Sequence, residues 1–186
     1  MIGILEQIDV LSHFANHTYV VDSKIKKAKD IEGLKSASMD LLNIIKSLHA
    51  KGVKVNHISN LIGQLNTKVY QKLYNLVLPK ELQKDACFIV MGSEGRNEQI
   101  IKTDQDNALV VKDGIDVEQY RPYMNLISEY LIDFGYPSCE GNIMVSNAFW
   151  CKNVSSYKSE TARWIEASDM QNYMDLAIFF DSFAVA

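Results

Sequence analysis

Residues 86–111 read ACFIVMGSEGRNEQIIKTDQDNALVV, and the fold turns on how they are read. Ala86–Met91 is a short continuous apolar run, with charge before it and Gly92 after it, which predicts a buried strand. Residues 92–105 predict a polar loop. Ala108–Val111 predicts a second strand, stopped by the turn signal Asp113-Gly114. Gly92 sits where the backbone must turn off the first strand, and Gly95 allows a second unusual φ. Successive free N–H groups in such a turn form a concavity that holds anions. Ser93 adds a hydroxyl. Arg96 and Lys102 add positive charge suited to phosphate oxygens, one as a fork and the other as a point charge.

Asp104 and Asp106 lie at i and i+2 beside the second strand, and in an extended segment those side chains share one side. Two carboxylates on one side repel unless a cation separates them. Hard divalent cations, Mg²⁺ above all, bind one or two carboxylates together with substrate phosphates. A phosphate-holding turn facing a carboxylate pair is therefore a layout for metal-assisted phosphoryl or nucleotidyl transfer. The competing reading is a solvated loop whose Asp side chains cap a turn.

The flanking sequence predicts mostly helices. Asp9–Phe14 reads as a short helix or turn, and residues 19–29 as a weakly amphipathic helix. Residues 38–50 read as a helix stopped at Gly52, and 56–78 as the clearest helix, ended by Pro79. Residues 118–134 carry one stripe of Tyr120, Tyr123, Met124, Ile127, Tyr130, Leu131 and Phe134. Residues 142–145 predict a third strand, and 156–166 and 169–185 two further helices. The last is expected to turn Met170, Tyr173, Ala177, Phe180 and Ala184 inward, with Trp150 and Trp164 anchoring these helices. The expected fold class is α/β (α+β), a small mixed sheet preceded and followed by helices. A helical segment over 1–80 leads into a core over 81–186. The apolar, uncapped end at Phe183–Ala186 suggests a piece of a longer chain.

Composition narrows the function classes. At roughly 150 residues per domain, 186 residues predict one domain and some extra. Hydrophobic residues at 47% exclude a disordered chain. Lys+Arg 19 against Asp+Glu 23 gives −4, so no broad basic field draws the chain to nucleic acid. No apolar run approaches the roughly 18 residues of a membrane span. Cys87, Cys139 and Cys151 show no CxxC or His pairing, which argues for a reducing, cytoplasmic setting and against a disulfide framework or zinc site. Cys139 has no base nearby in sequence, which argues against a nucleophile. Glu94 and Glu98 read as loop charges or as groups orienting Arg96. The four histidines read as structural or surface residues.

Gly92-Ser93 followed by Asp104-x-Asp106 resembles the signature of DNA polymerase beta-like nucleotidyltransferases. More narrowly, MGSEGRNEQIIKTDQDNALV (91–110) resembles the nucleotidyltransferase family of bacterial multidomain signalling proteins. In that family the domain usually follows a cyclic-nucleotide-binding domain and a pair of CBS domains. More distantly, the chain is similar to PII-protein uridylyltransferases and glutamine synthetase adenylyltransferases. FGYPSCEGNIMVSNAFW (134–150), MDLAIFFD (174–181) and DVLSHF (9–14) carry the same resemblance. It implies a polymerase-beta-like core that moves a nucleoside monophosphate from NTP to an acceptor, by analogy a protein hydroxyl. Gly92, Ser93, Gly95, Arg96 and Lys102 would hold the triphosphate, and Asp104 and Asp106 would bind Mg²⁺ or Mn²⁺. The superfamily adds a third carboxylate on a later strand as general base. Here the nearest acid is Glu140, while Asp175 and Asp181 fall on a predicted helix. This departure leaves an alternative, a nucleotide-binding regulatory module with weak or no catalysis.

Overall fold

A computed structural model describes residues 18–96, 98–167 and 169–186. The expected turn at Asp9–Phe14, with His13 and His17, lies outside these residues. Helix α1 covers 18–27. Helix α2 spans Ile31–Ala50 and begins seven residues before the apolar stripe suggests. The reason is Asp30, whose carboxylate accepts the Gly33 N–H at 2.8 Å and caps the helix. Helix α3, Val55–Val77, packs on α2 and buries Ile58, Ile62, Leu65, Val69 and Leu73. A single turn α4, Lys80–Gln83, follows Pro79.

The four-stranded sheet has the order β3-β2-β1-β4. Strands β1 (Ala86–Val90) and β2 (Asn107–Val111) are antiparallel, pairing Phe88 with Leu109 and Val90 with Asn107. Strand β3 (Cys151–Asn153) runs parallel to β2. Strand β4 (Phe183–Ala184) runs antiparallel to β1. Alternation sorts the side chains. Phe88, Val90, Leu109 and Val111 join the core shared with α2, α3 and α6 (Arg121–Asp133). Ile89, Met91 and Ala108 face Trp150, Tyr157 and Trp164, beneath α7 (Val154–Glu166) and α8 (Met170–Phe180). A sheet covered on both faces explains the unbroken apolar runs of β1 and β2. Each large apolar side chain so buried contributes roughly 1.5–3 kcal/mol.

The α6 stripe is inward as expected, with Tyr120, Met124, Ile127, Leu131 and Phe134 buried, and Pro122 lies in the first turn. Trp150 and Trp164 sit 6.0 Å apart under the last two helices. His49 and His57 are exposed.

Two expectations about the polar stretch and the third strand are corrected. Residues 92–105 are not loop throughout, because Gly92–Gly95 makes one helical turn, α5. Residues 142–145 are not a strand. Asn142 has φ +54, and the segment is held by Asn107, which donates its N–H to the Ile143 carbonyl and accepts the Val145 N–H on Oδ1. The place beside β2 goes to β3 instead.

The last helix stops at Phe180, and the chain returns as β4, because the edge of β1 offers unpaired backbone groups. Phe88 N–H donates to the Ala186 carbonyl, and Val185 N–H to that of Phe88. The face of α8 is also turned. Met170, Tyr173, Ala177, Phe180 and Ala184 are exposed, while Leu176, Ile178 and Phe179 pack inward. The stack of Phe179 on Tyr157, 5.0 Å between centroids, sets that face. Among the described residues no helix is long and apolar enough to cross a membrane.

Candidate active site

The site begins where β1 ends. Met91 N–H donates to the Asp106 carbonyl at 2.9 Å, extending the β1–β2 ladder by one residue. Gly92 then takes φ +57, a conformation open to glycine at little cost. A Cβ built on Gly92 would lie 2.7 Å from Asp106 Oδ2. The turn is thus packed directly on a carboxylate.

Gly95 does not have the second unusual φ that its place in the turn suggested. Its demand is for space: a Cβ there would come within 1.8 Å of the Asp181 carbonyl oxygen. The end of α8 therefore seats on α5.

The structure keeps the two candidate cations apart. Arg96 Nε donates to Glu98 at 2.8 Å, and its NH1 pairs with Asp181. Lys102 Nζ donates to Ser38 Oγ of α2 at 2.9 Å and to the Phe134 carbonyl at the end of α6. It also stands 4.8 Å from the centre of the Tyr136 ring. Burial lowers the Lys102 ammonium to about 8.

The 137–143 loop runs alongside 105–107. Gln105 N–H donates to the Pro137 carbonyl at 3.0 Å, and Gln105 pairs with Ser138 in a parallel bridge. Gln105 and Asn107 are both buried and make these joints, with the Asn107 amide reaching Gln105 Oε1 at 3.4 Å. The result is a group that spacing alone did not suggest. One donor atom each from Asp104, Asp106 and Cys139 lie within 4.8 Å of one another. Asp104 is exposed, and the other two are half-buried. Burial raises the Asp106 carboxyl above its ordinary value. The Cys139 thiol bonded to it pulls the other way, and the Asp104 charge adds to the rise. The Cys139 thiol is itself pushed up to about 11, first by burial.

The remaining acids stand elsewhere. Glu140 is exposed and lies outside the group. Asp175 is buried and accepts from Gln171 at 2.9 Å, and Asp181 pairs with Arg96. Glu94 is no solvated loop charge. It is 6% exposed, and burial raises it to about 7 against an opposing bond from Asn66 of α3. Asn66 also accepts the Tyr136 hydroxyl at 2.8 Å. Glu94 follows a glycine and a serine in a polar stretch, so nothing local signals its burial.

The donors fit a divalent cation. Asp106 Oδ1 is buried and accepts no hydrogen bond from the protein, which leaves it open to a cation or a water. Two carboxylates and a thiol within this span suit a divalent ion.

No curated protein and no solved structure matches the chain. One family model, described as putative nucleotidyltransferase DUF294, matches residues 39–171, well over half of the chain. The match takes in the 92–106 turn and loop, both carboxylates and Cys139, and the chain belongs to this nucleotidyltransferase family.

Proposed function

We propose that the chain transfers a nucleoside monophosphate from an NTP to an acceptor, with Asp104 and Asp106 holding Mg²⁺ or Mn²⁺. The observation that carries this reading is the packing of the Gly92 turn on the Asp106 carboxylate. A turn free of side chains beside a carboxylate pair lets a triphosphate and a cation meet at one place. A cation bound there would offset the triphosphate charge and favour departure of pyrophosphate.

The chain's own residues bind and orient. Gly92 leaves room for phosphate oxygens, and the Ser93 hydroxyl donates to them. Gly95 seats the turn on α8. Arg96 and Lys102 are assigned to the triphosphate, and each must exchange its present partners to reach it. Arg96 would leave Glu98 and Asp181, and Lys102 would leave Ser38 and the Phe134 carbonyl.

A protein hydroxyl as acceptor, a cytoplasmic setting, and upstream cyclic-nucleotide-binding and CBS domains are further parts of this reading, drawn from the resemblance. So is the division into a helical segment, 1–80, and a core, 81–186. The test is NTP-dependent labelling of a partner protein with wild type and Asp104→Asn. Labelling that survives the substitution overturns the mechanism.

One observation favours a second reading, a nucleotide-binding module that does not catalyse. Among the described residues Cys139, not a third carboxylate, stands with Asp104 and Asp106. A thiol held at about 11 is a poor general base near neutrality, and a base is worth about 10²–10⁴-fold. NTP binding by calorimetry without pyrophosphate release supports this second reading.

A further inference from the structure

We propose that Cys139 Sγ is a protein donor to the cation held by Asp104 and Asp106, so that the site prefers a thiophilic divalent ion of the Zn²⁺, Co²⁺ and Cd²⁺ class to Mg²⁺. The proposal rests on the reading that this carboxylate pair binds a cation, and it replaces Mg²⁺ as the preferred ion.

Three observations support it. The sulfur and the two carboxylates each offer one atom within 4.8 Å of the others, so a small movement of the exposed Asp104 side chain would bring all three to a shared ion at bonds of roughly 2.0–2.3 Å. Cys139 Sγ stands beside the Asp106 carboxylate, whose Oδ1 is buried and accepts no hydrogen bond from the protein. The thiol proton passes to solvent as the sulfur–metal bond forms. Finally, the loop wraps the sulfur. Gly141 lies against it: a Cβ there would stand 3.6 Å from Sγ.

The donor types decide the selectivity. Mg²⁺ takes oxygen ligands in near-octahedral order, whereas thiolate favours softer ions. Spacing alone pointed away from a cysteine metal site because it considered only Cys and His partners. The fold supplies carboxylate partners instead.

The test titrates the intact chain with Co²⁺ and with Cd²⁺ and follows the near-ultraviolet sulfur-to-metal charge-transfer band. The expected band saturates at one ion per chain and disappears in Cys139→Ala, with circular dichroism confirming the fold. It remains in Cys87→Ala. In Cys139→Ser, the preference for Cd²⁺ over Mg²⁺ should fall at least about tenfold. A folded wild type that gives no band, or a band that survives Cys139→Ala, overturns the proposal. If Mn²⁺ still binds by calorimetry in an Asp104-dependent way, the thiol alone is excluded and the carboxylate reading stands. If no divalent ion binds in an Asp104-dependent way, both readings fall.

Discussion

Gly92 and Asp106 are in contact across the β1–β2 ladder: a methyl group on Gly92 would stand 2.7 Å from Asp106 Oδ2. The turn that follows the first strand and the carboxylate before the second strand are therefore one structural unit. Neither can take a bulkier form without displacing the other.

Gly92→Ala and Gly95→Ala should fail differently. At Gly92 the new methyl meets a side chain, which can swing away, and the φ of +57 adds roughly 1–2 kcal/mol. Gly92→Ala should fold, with the carboxylate displaced and NTP-dependent labelling lost. At Gly95 the methyl meets backbone on two sides, 1.8 Å from the Asp181 oxygen and 3.2 Å from the Val90 oxygen. Backbone cannot give so easily, so the cost should reach or exceed the roughly 1–3 kcal/mol of ordinary overpacking. Urea unfolding of both variants should rank Gly95→Ala as less stable. The reverse order would mean that α8 does not seat on the turn.

Asp104 and Asp106 should separate in stability though not in activity. Asp104 is exposed, so Asp104→Asn should hold stability within about 0.5 kcal/mol while transfer is lost. Asp106 carries a half-buried charge that burial and Asp104 both disfavour. Asp106→Asn should therefore melt higher than wild type in the absence of cation, and also lose transfer. A lower melting temperature for Asp106→Asn would show that the carboxylate is stabilising and not a functional cost.

Asn107→Ala should loosen the site from outside it. The buried Asn107 side chain accepts the Val145 N–H at 2.8 Å and reaches Gln105. Its loss leaves a buried donor unpaired, at about 1–3 kcal/mol. It also frees the 139–145 loop that positions Cys139. Hydrogen exchange should quicken at Val145 in Asn107→Ala. Unchanged exchange there would mean that the loop is held by other bonds.

What could be read from the sequence was local. The strand-turn-strand of 86–111 is written in contiguous residues: an apolar run, a glycine, a polar stretch and an acid pair. Its two strands and the meeting of Gly92 with Asp106 follow from that order. What could not be read depends on contacts between distant segments. Cys139 reaches the carboxylates only because Gln105 and Asn107 tie two loops together. The sequence stripe points to the wrong face of α8 because a helix apolar on several faces does not reveal which face packs, and Tyr157 and Trp164 select Phe179. Strand β4 follows a short helix with no turn signal, and the open edge of β1 decides it.

Glu94 should make stability fall as pH rises. Its ordinary value is 4.5, and in the fold it is raised to about 7 by burial among Asn66, Tyr70 and Tyr136. Between those values the native chain keeps a proton that the unfolded chain has released. Native stability is therefore highest below about 4.5, declines toward about 7, and carries the full penalty above that. At 1.36 kcal/mol per unit the penalty is on the order of 3 kcal/mol. Glu94→Gln removes the charge, so its unfolding free energy should change far less than that of wild type between about pH 5 and about pH 8. Above the window the variant should be the more stable protein. Equal losses in both would place the pH dependence on another group, with Asp106 the next carboxylate raised by burial.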